Sequence, residues 1–253
     1  MSSTLTACLS CLNMSVAGRC PIDPNAKPAW EPGDLNKMFD RLTKEPYLSQ
    51  YQVSILSRDP WVITMENVLT DEEADRLIDL GATEGYKRSA DVGKRLADGT
   101  YDSKVSQSRT SMNAWCQHDC YTDRVARNVI DRIGNFTGIN ETNSEFLQLL
   151  RYEPNQYYKV HHDYINHNRD RQQGVRLLTV FLYLNDVEAG GGTNFDRLNI
   201  TVMPKRGRVL LWPSVLDDKP NDKDGRTTHQ ALPVEAGIKY GANAWCKLLC
   251  GSL

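Results

Sequence analysis

The spacing of apolar residues changes once along this chain, from a helical period to the short runs typical of strands. Val125, Val129, Ile133 and Phe136 recur every three to four residues, as expected for one buried helix face. From Glu145 onward the apolar residues fall in short runs separated by glycine, proline and asparagine. These runs predict strands at 146–152, 157–163, 176–184, 193–196, 199–203, 207–213, 227–234 and 238–249. Such strands without intervening helices indicate an antiparallel sandwich or jelly roll.

The residues before this β-rich region predict helices and one strand. Helices are expected over 34–42, from a capping box at Thr70 and Glu73 onward, and from about Thr122 to Phe136 with a stop at Gly138, and a strand over 61–69. The predicted fold is therefore mainly β with N-terminal helices (α+β). Its core is expected to be a sandwich or a jelly roll.

Proline and glycine divide the chain into two regions. Five prolines between positions 21 and 46 predict that residues 1–60 are a lead-in segment, and residues 61–253 predict one domain with its jelly-roll core at about 145–250. Within that domain, the stretch from Lys87 to Lys104 is polar and has no apolar periodicity. We expect it to be a long surface loop that closes over a ligand.

Composition and charge narrow the functional classes. Lys and Arg number 30 against 32 Asp and Glu, so the net charge of -2 gives no basic excess for binding nucleic acid. The longest apolar run, Leu177 to Leu184, is far shorter than the roughly 20 residues of a membrane-spanning helix. We therefore expect neither a nucleic-acid partner nor a transmembrane segment.

Seven cysteines lie in three groups, and their spacing leaves three interpretations open. Local disulfides, reduced core thiols and a zinc site all fit, with His118 the only histidine near a cysteine pair. Cys246 and Cys250 are four residues apart on one predicted strand, too far to bridge each other, so each would pair elsewhere, with the N-terminal group as a candidate. The groups are Cys8, Cys11 and Cys20; Cys116 and Cys120; Cys246 and Cys250.

Four Asn-x-Ser/Thr triplets give weak support for a secretory route. They begin at Asn13, Asn135, Asn140 and Asn199. The N-terminus lacks the basic region of a signal peptide. We expect the endoplasmic reticulum or secretory pathway, with the cytoplasm as the alternative.

Three residues have the chemistry of a non-haem iron site. His161 and Asp163 form a His-x-Asp pair on one predicted strand, where residues two apart share a face and His162 points away. One imidazole and one carboxylate are two thirds of a 2-His-1-carboxylate triad, which holds Fe(II) and leaves positions open. His229 lies in a late strand that a jelly roll can bring beside the pair. Lys239, ten residues later, would bind an anionic cosubstrate.

Together with several longer motifs, these residues make the chain resemble the prolyl 4-hydroxylase catalytic domain of the 2-oxoglutarate/Fe(II) dioxygenases. The likeness spans about Trp61 to Leu249, and it implies that the core is a double-stranded β-helix, a jelly-roll or cupin-like arrangement. The motifs are RTSMNAW (109–115), LQLLRYEPNQYYKVHHDY (147–164), LLTVFLYLNDVEAGGGTNF (177–195), GRVLLW (207–212) and HQALPVEAGIKYGANAW (229–245).

The resemblance implies a role for each residue of the site. His161, Asp163 and His229 would be the iron ligands, and Lys239 would pair with the distal carboxylate of 2-oxoglutarate. That carboxylate would also accept hydrogen bonds from Tyr152 and Thr193, with Thr179 as a lesser candidate. Peptide-facing positions map to Arg109, Ser111, Glu145, Tyr158, Arg176 and Trp245. Alternation places Tyr158 on the strand face opposite His161 and Trp245 on the same face as Lys239.

The implied reaction is hydroxylation of peptidyl proline to 4-hydroxyproline, with 2-oxoglutarate and O2 consumed, succinate and CO2 released, and L-ascorbate restoring oxidised iron. Two alternatives stay open: the same chemistry on another residue or a free amino acid, and a secreted binding module with a vestigial iron site. Two positions depart from the family pattern, His162 between the iron ligands and Lys247 where some relatives have a substrate-contacting histidine. Lys247 therefore leaves the preferred peptide sequence open.

Overall fold

The computed structural model of the protein describes residues 27–95, 101–105 and 107–249. The helices in this part are α1 (Asp34–Leu42), α2 (Tyr47–Gln50), α3 (Asp71–Glu84), α4 (His118–Thr122) and α5 (Arg124–Thr137). The strands are β1 (Ser54–Arg58), β2 (Trp61–Met65), β3 (Lys87–Arg88), β4 (Ala90–Arg95), β5 (Tyr101–Val105), β6 (Met112–Trp115), β7 (Gln148–Tyr152), β8 (Tyr158–His161), β9 (Arg176–Tyr183), β10 (Ala189–Gly190), β11 (Thr193–Phe195), β12 (Ile200–Val202), β13 (Val209–Pro213), β14 (His229–Ala231), β15 (Val234–Ala236) and β16 (Lys239–Lys247).

Two antiparallel sheets form the jelly roll. The large sheet has the order β1-β2-β13-β9-β16-β7-β6-β3, and the small sheet has the order β12-β11-β14-β8. Two further strand pairs, β10-β15 and β4-β5, stand apart from them in the hydrogen-bonding pattern. The fold is therefore mainly antiparallel β with N-terminal helices, as the sequence predicts.

Strand β9 shows why the longest apolar run of the chain lies at the centre of the large sheet. Val180 and Leu182 point into the cluster that the helices cover. Phe181 and Tyr183 point to the other side, into the cluster that contains residues of both sheets. A strand that is covered on both faces needs apolar residues at consecutive positions, so its sequence does not alternate.

The three predicted helices are present, with α5 two residues later at its start and one residue later at its end than predicted, whereas α2 and α4 were not predicted. Thr70 accepts a 3.2 Å hydrogen bond from the Glu73 amide, and Glu73 accepts one of 3.0 Å from the Thr70 amide, so the capping box at the start of α3 is complete. Gly138 ends α5 with φ +74°, in the left-handed region that glycine adopts at low cost. α5 begins after Asp123, whose carboxylate accepts hydrogen bonds from the amides of Val125 and Ala126.

Residues before position 61 pack onto the large sheet. The rings of Phe39 on α1 and Trp61 on β2 stack with centroids 5.3 Å apart. The Trp61 indole donates a 2.7 Å hydrogen bond to Asn36 Oδ1. Strand β1, which the sequence analysis does not identify, pairs with β2 at the sheet edge. The predicted boundary at residue 60 is not a gap in the packing, although the division into two regions stays a prediction.

The stretch from Lys87 to Lys104 differs from its prediction as a loop. It contains β3, which pairs with β6, and the antiparallel pair β4-β5. The prediction relied on apolar periodicity, whereas backbone groups alone make strand pairing. Residues 96–100 lie outside the described residues. The predicted closure over a ligand stays a prediction.

Cys116 and Cys120 form a disulfide with an S–S distance of 1.96 Å, which ties the end of β6 to α4. Cys246 is a buried free thiol, so the expectation that it pairs with another cysteine is wrong. Its position in a doubly hydrogen-bonded strand explains this, because its sulfur faces the apolar cluster beneath the helices. The remaining four, Cys8, Cys11, Cys20 and Cys250, lie outside the described residues.

Candidate active site

His161, Asp163 and His229 converge on one point between the two sheets. One possible metal-ligand atom from each lies within 4.8 Å of the others, and this is the one group of its kind in the part of the chain that the structure describes. His161 ends β8 and His229 begins β14, and the two residues are direct partners in the antiparallel pairing of these strands. Neighbouring strands therefore present both imidazoles to the same side.

Asp163 reaches the site from beyond the end of its strand. β8 ends at His161, so the predicted strand over 157–163 is too long at its end. The Asp163 carboxylate is nevertheless only 5% exposed, and its oxygens lie 3.9 Å from His161 Nε2 and 3.6 Å from His229 Nε2. The His-x-Asp pair thus faces one point, although strand alternation alone does not place it there.

Backbone carbonyls orient both imidazoles. His161 Nδ1 donates to Lys159 O at 2.8 Å, and His229 Nδ1 donates to Thr227 O at 3.0 Å. A carbonyl oxygen only accepts, so each ring carries its proton on Nδ1 and presents the Nε2 lone pair to the site. This arrangement fits a divalent metal held by two imidazoles and one carboxylate, with other positions open.

The electrostatics of the triad favour the forms that bind metal. Burial and the neighbouring His229 lower the pKa of His161 to about 3, so its imidazole is neutral at pH 7. Burial alone would raise the pKa of Asp163, but the two imidazoles, Arg176 and the Thr179 hydroxyl hold it below its usual range. The donor set therefore contains a neutral His161 imidazole and a carboxylate anion, beside the Nε2 atom of His229.

Lys239 is a buried cation at the start of β16. It is 1% exposed, and its Nζ donates a 2.6 Å hydrogen bond to Gly191 O. The rings of Tyr152, Phe181 and Tyr183 surround the ammonium at 5.2 to 5.5 Å from their centroids. Burial lowers the pKa of Lys239 to about 7, and no carboxylate of the described residues forms an ion pair with it. A carboxylate ligand would supply the missing counter-charge.

A tight turn brings the Gly191 carbonyl to Lys239. Gly190 has φ +75°, and a Cβ there would lie 2.4 Å from Pro233 O, so no larger residue fits. Two residues further on, Thr193 accepts a 2.8 Å hydrogen bond from the Tyr183 hydroxyl group.

Two of the three hydroxyl residues predicted for the cosubstrate carboxylate lie in this region, and the third does not. Tyr152 is the direct partner of Lys239 in the β7-β16 pairing. Thr179 instead pairs with Trp245, six residues along β16 or about 20 Å from Lys239, and its hydroxyl donates to Asp163 Oδ2 at 2.6 Å. The Thr179 hydroxyl thus orients a candidate metal ligand in this structure, and its assignment to the cosubstrate carboxylate stays a prediction.

Sequence reasoning missed Phe181 and Tyr183, which line the Lys239 pocket. The signal was present, since Phe181 and Tyr183 lie two and four residues after Thr179 and so share its strand face. Because the apolar run of β9 is unbroken, the sequence does not show which residues of that strand face the site.

Tyr158 stacks on His161, with ring centroids 3.6 Å apart. The prediction that it occupies the opposite face is wrong. His161 pairs with His229 and Tyr158 with Ala231, so three steps on β8 correspond to two on β14, and the extra residue breaks the alternation.

Arg109 continues this stack, and Ser111 lies nearby on the same segment. The Arg109 guanidinium lies 4.7 Å from the Tyr158 ring centroid, and it donates to Gln148 Oε1 at 3.0 Å. Ser111 is fully buried, and its hydroxyl lies 3.1 Å from that of Ser89. Arg109 thus lies beside the triad, whereas Ser111 contacts Ser89 and also forms a hydrogen bond with the Tyr152 hydroxyl group.

Glu145, Arg176 and Trp245 form a second group beside the triad. Arg176 binds both oxygens of Glu145, at 2.7 and 2.8 Å, and its guanidinium lies 3.5 Å from the Trp245 ring centroid. Trp245 also contacts Trp115, at 6.1 Å between centroids. Burial alone would lower the pKa of Arg176. Glu145 and, after it, Asp163 raise that pKa above its usual value.

His162 points away from the triad, as predicted. Its Nε2 donates to Asp224 O at 2.8 Å, and its Nδ1 accepts from the Tyr164 amide at 2.9 Å. It therefore contacts the segment that leads to His229 rather than the candidate metal site.

Comparison with known proteins gives the same family at three levels. A family model described as the 2OG-Fe(II) oxygenase superfamily matches residues 147–247. Probable prolyl 4-hydroxylase 8 of Arabidopsis thaliana is 32% identical over 216 residues, which cover 76% of this chain and 70% of that protein. The chain is also 31% identical to prolyl 4-hydroxylase subunit alpha-2 of Caenorhabditis elegans over 88% of its own length. It spans only 40% of that subunit.

A solved structure agrees with these sequences. The crystal structure of viral collagen prolyl hydroxylase from Paramecium Bursaria Chlorella virus-1, in its 2OG complex, is 28% identical with a TM-score of 0.57. The match covers 74% of this chain and 96% of the viral one.

None of the helices in the described part of this chain is both long and apolar enough to cross a bilayer.

Proposed function

Because this chain belongs to the prolyl 4-hydroxylase family of 2OG-Fe(II) oxygenases, we propose that it hydroxylates peptidyl proline to 4-hydroxyproline. The reaction consumes 2-oxoglutarate and O2 and releases succinate and CO2. The observation that carries the proposal is the convergence of His161, Asp163 and His229 in a domain that also buries Lys239 without a carboxylate partner among the described residues. This is the donor set of an oxidoreductase that binds Fe(II) and an anionic cosubstrate.

His161, Asp163 and His229 would hold Fe(II). Bound iron with open positions supplies the O2 chemistry that couples decarboxylation of 2-oxoglutarate to hydroxylation. The protein's contribution is to fix the donor atoms: Lys159 O and Thr227 O orient the imidazoles. The carbonyl contacts keep both Nε2 atoms aimed at one point before the metal arrives, which lowers the cost of assembling the site.

Lys239 would bind the distal carboxylate of 2-oxoglutarate. Its ammonium lies among three aromatic rings, where water cannot compete strongly and a charge-assisted hydrogen bond is worth more than at the surface. Tyr152 on β7 of the large sheet and Thr193 on β11 of the small sheet offer hydroxyl groups. Lys239 would thus hold the distal carboxylate of the cosubstrate, and the other end of the cosubstrate would lie toward the triad.

The peptide would lie along the wall formed by Arg109, Tyr158, Arg176 and Trp245. Two donors on this wall, Arg109 Nε and Trp245 Nε1, are buried and have no hydrogen-bond partner among the residues that the structure describes. Peptide carbonyl groups would satisfy them, and burial of such donors without a partner is costly. Glu145 holds Arg176 in place, and Ser111 supports the segment that carries Arg109.

Two further parts of the proposal concern conditions rather than residues. L-Ascorbate would restore iron that becomes oxidised in turnovers without peptide. The enzyme would work in the endoplasmic reticulum or secretory pathway, which the Cys116–Cys120 disulfide favours because such bonds persist in oxidising compartments. Glycosidase treatment of the protein from its native cell tests the compartment, since a mass shift requires a glycan; Asn199 is exposed in a turn and is its expected site.

Turnover with defined peptides tests the proposed reaction. Purified protein with Fe(II), 2-oxoglutarate and ascorbate should convert proline-rich peptides to products 16 Da heavier, with 4-hydroxyproline identified by amino-acid analysis and stoichiometric succinate. His229→Ala and Lys239→Ala should lose this activity, and His167→Ala should keep it. Hydroxylation of lysine or asparagine peptides in place of proline peptides would overturn the substrate but keep the chemistry.

A further inference from the structure

Lys247 is the second cation on a carboxylate that is already fully engaged. Both oxygens of Glu145 accept hydrogen bonds from Arg176, and Lys247 Nζ lies 3.4 Å from one of them. The pairing of β9 with β16 places Lys247 directly opposite Arg176. This small cluster of Glu145, Arg176 and Lys247, the cationic cluster, therefore has one positive charge in excess.

The cluster is largely removed from water but still reachable. The side chains of Arg176, Glu145 and Lys247 are 12%, 14% and 13% exposed. Burial lowers the pKa of Lys247, and the neighbouring Arg176 and Arg171 act in the same direction, while Glu145 opposes them. A second anion would restore the balance of charge, and in such a partly desolvated place the attraction exceeds that at an open surface.

The position of the cationic cluster connects it with the reaction. Arg176 stacks on Trp245, whose strand partner is Thr179, and Thr179 donates to Asp163 of the triad. A group bound by Lys247 would therefore lie beside the place where the peptide meets the metal. It would not lie at the Lys239 pocket, because Lys239 is eight residues away at the other end of the same strand.

Arg109 is a further cation without a carboxylate partner among the described residues. It is 7% exposed and stacks on Tyr158, which in turn stacks on His161. Outside the triad, the proposed peptide wall and the cationic cluster together carry three cations, Arg109, Arg176 and Lys247, and one carboxylate, Glu145. Neutral peptides would leave this charge uncompensated, whereas an acidic peptide would compensate it.

We propose that the peptide substrate carries a carboxylate close to the target proline and that Lys247 is the residue that selects it. This inference rests on the proposed function and adds a substrate class to it. The carboxylate could belong to an Asp or Glu side chain or to the end of a peptide chain. The chemistry of recognition is the same, so the peptides in the test separate the two sources.

The test compares three peptides of one proline-containing sequence. One has Glu beside the target proline and an amidated end, one has Gln there and an amidated end, and one has Gln and a free carboxylate end. The proteins are the unaltered chain, Lys247→Met, and Lys44→Met as a control at an exposed lysine far along the sequence. KM and kcat are measured for each peptide, and KM for 2-oxoglutarate is measured in parallel.

The expected result is a KM for the Glu peptide about tenfold or more below that for the amidated Gln peptide, which corresponds to about 1.4 kcal/mol. Lys247→Met should raise the KM for the Glu peptide to the Gln value and leave the KM for 2-oxoglutarate unchanged. Lys44→Met should keep the preference. Added salt should weaken the preference in the unaltered protein.

Charge reversal gives an independent arm if Lys247→Met is poorly folded. Lys247→Glu should disfavour the Glu peptide and favour a peptide with Lys at that position. Preference for the free-end peptide alone would assign the carboxylate to a chain end. Equal KM values for all three peptides would overturn the inference while proline hydroxylation stands. Failure to hydroxylate any proline peptide, with 2-oxoglutarate still bound, would overturn the proposed function and this inference with it.

Discussion

The hydroxyl group of Thr179 donates a 2.6 Å hydrogen bond to Oδ2 of Asp163, so a central strand of the large sheet holds a carboxylate that lies beyond the end of its own strand. Both residues are buried. The bond fixes the carboxylate between two imidazoles whose orientation depends on other parts of the chain. Residues that form hydrogen bonds with metal ligands, as Thr179 does here, strongly influence metal affinity.

Replacing Thr179 should therefore weaken metal binding. Thr179→Val removes the donor at nearly constant volume, and we expect metal affinity to fall about 10- to 100-fold. Thr179→Ser keeps the hydroxyl and should retain most of the affinity. Titration with Co(II), followed by its absorption spectrum, measures the change. Equal affinities in the Val and Ser variants would contradict the role.

His162 should affect metal binding through the segment before His229. His162 bonds to Asp224 O, and the Tyr164 hydroxyl donates to Asn221 O at 2.7 Å, so both side chains fasten that segment to the end of β8. We expect His162→Ala to weaken Co(II) binding and Tyr164→Phe to do so to a smaller extent.

A core variant controls for general loss of stability in this experiment. Ile133→Val on α5 should lower the melting temperature with no effect on Co(II) affinity, because Ile133 contacts the other face of the large sheet. An unchanged Co(II) dissociation constant in His162→Ala would show that the contact with Asp224 does not position the site.

Binding of 2-oxoglutarate should be linked to a proton on Lys239. Burial lowers the pKa of this ammonium to about 7, so at pH 8 the free protein holds it largely neutral. A carboxylate binds the ammonium form and raises its pKa, so binding takes up a proton above pH 7 and weakens as the pH rises further. Calorimetry at pH 8 in buffers of different ionisation enthalpy measures the uptake.

Two variants isolate that proton. Lys239→Ala should bind 2-oxoglutarate weakly and without the uptake, and Lys239→Arg should stay charged throughout and bind with little pH dependence. Proton uptake of the same size in Lys239→Ala would assign the effect to another group.

The packing of α1 on the large sheet should contribute strongly to stability. Phe39 is fully buried and stacks on Trp61, so Phe39→Ala should lower the free energy of unfolding by about 3–5 kcal/mol. Leu48→Ala, at an exposed side chain on α2, should change it by less than about 0.5 kcal/mol. Denaturant unfolding measures both. A small effect at Phe39 would indicate that residues before 61 are a separate lead-in.

Sequence reasoning succeeded where one residue type has one physical use. The capping box at Thr70, the stop at Gly138 and the buried strand β9 follow from local rules, and all three are present. The His-x-Asp pair also lies where the pattern predicts, although Asp163 reaches its place after the strand has ended.

Sequence reasoning failed where the direction of a side chain depends on the register between strands that are distant in sequence. The extra residue in β8 that turns Tyr158 toward His161 exists only relative to β14, some 70 residues away, so alternation within β8 could not reveal it. The neighbours of Thr179 likewise depend on the pairing of β9 with β16, which the sequence of β9 alone does not reveal.

Strand β16 is hydrogen bonded to β7 along Lys239–Asn243 and to β9 along Gly241–Lys247. Its first and last residues are Lys239 and Lys247, so the groups proposed to hold the cosubstrate and to select the peptide are joined by one strand within the sheet. Local opening of this strand would break pairing on both sides. The amides of Ala242 and Ala244 should therefore exchange with solvent deuterium only when the whole domain unfolds. Any movement that accommodates different peptides should therefore occur in segments outside this strand.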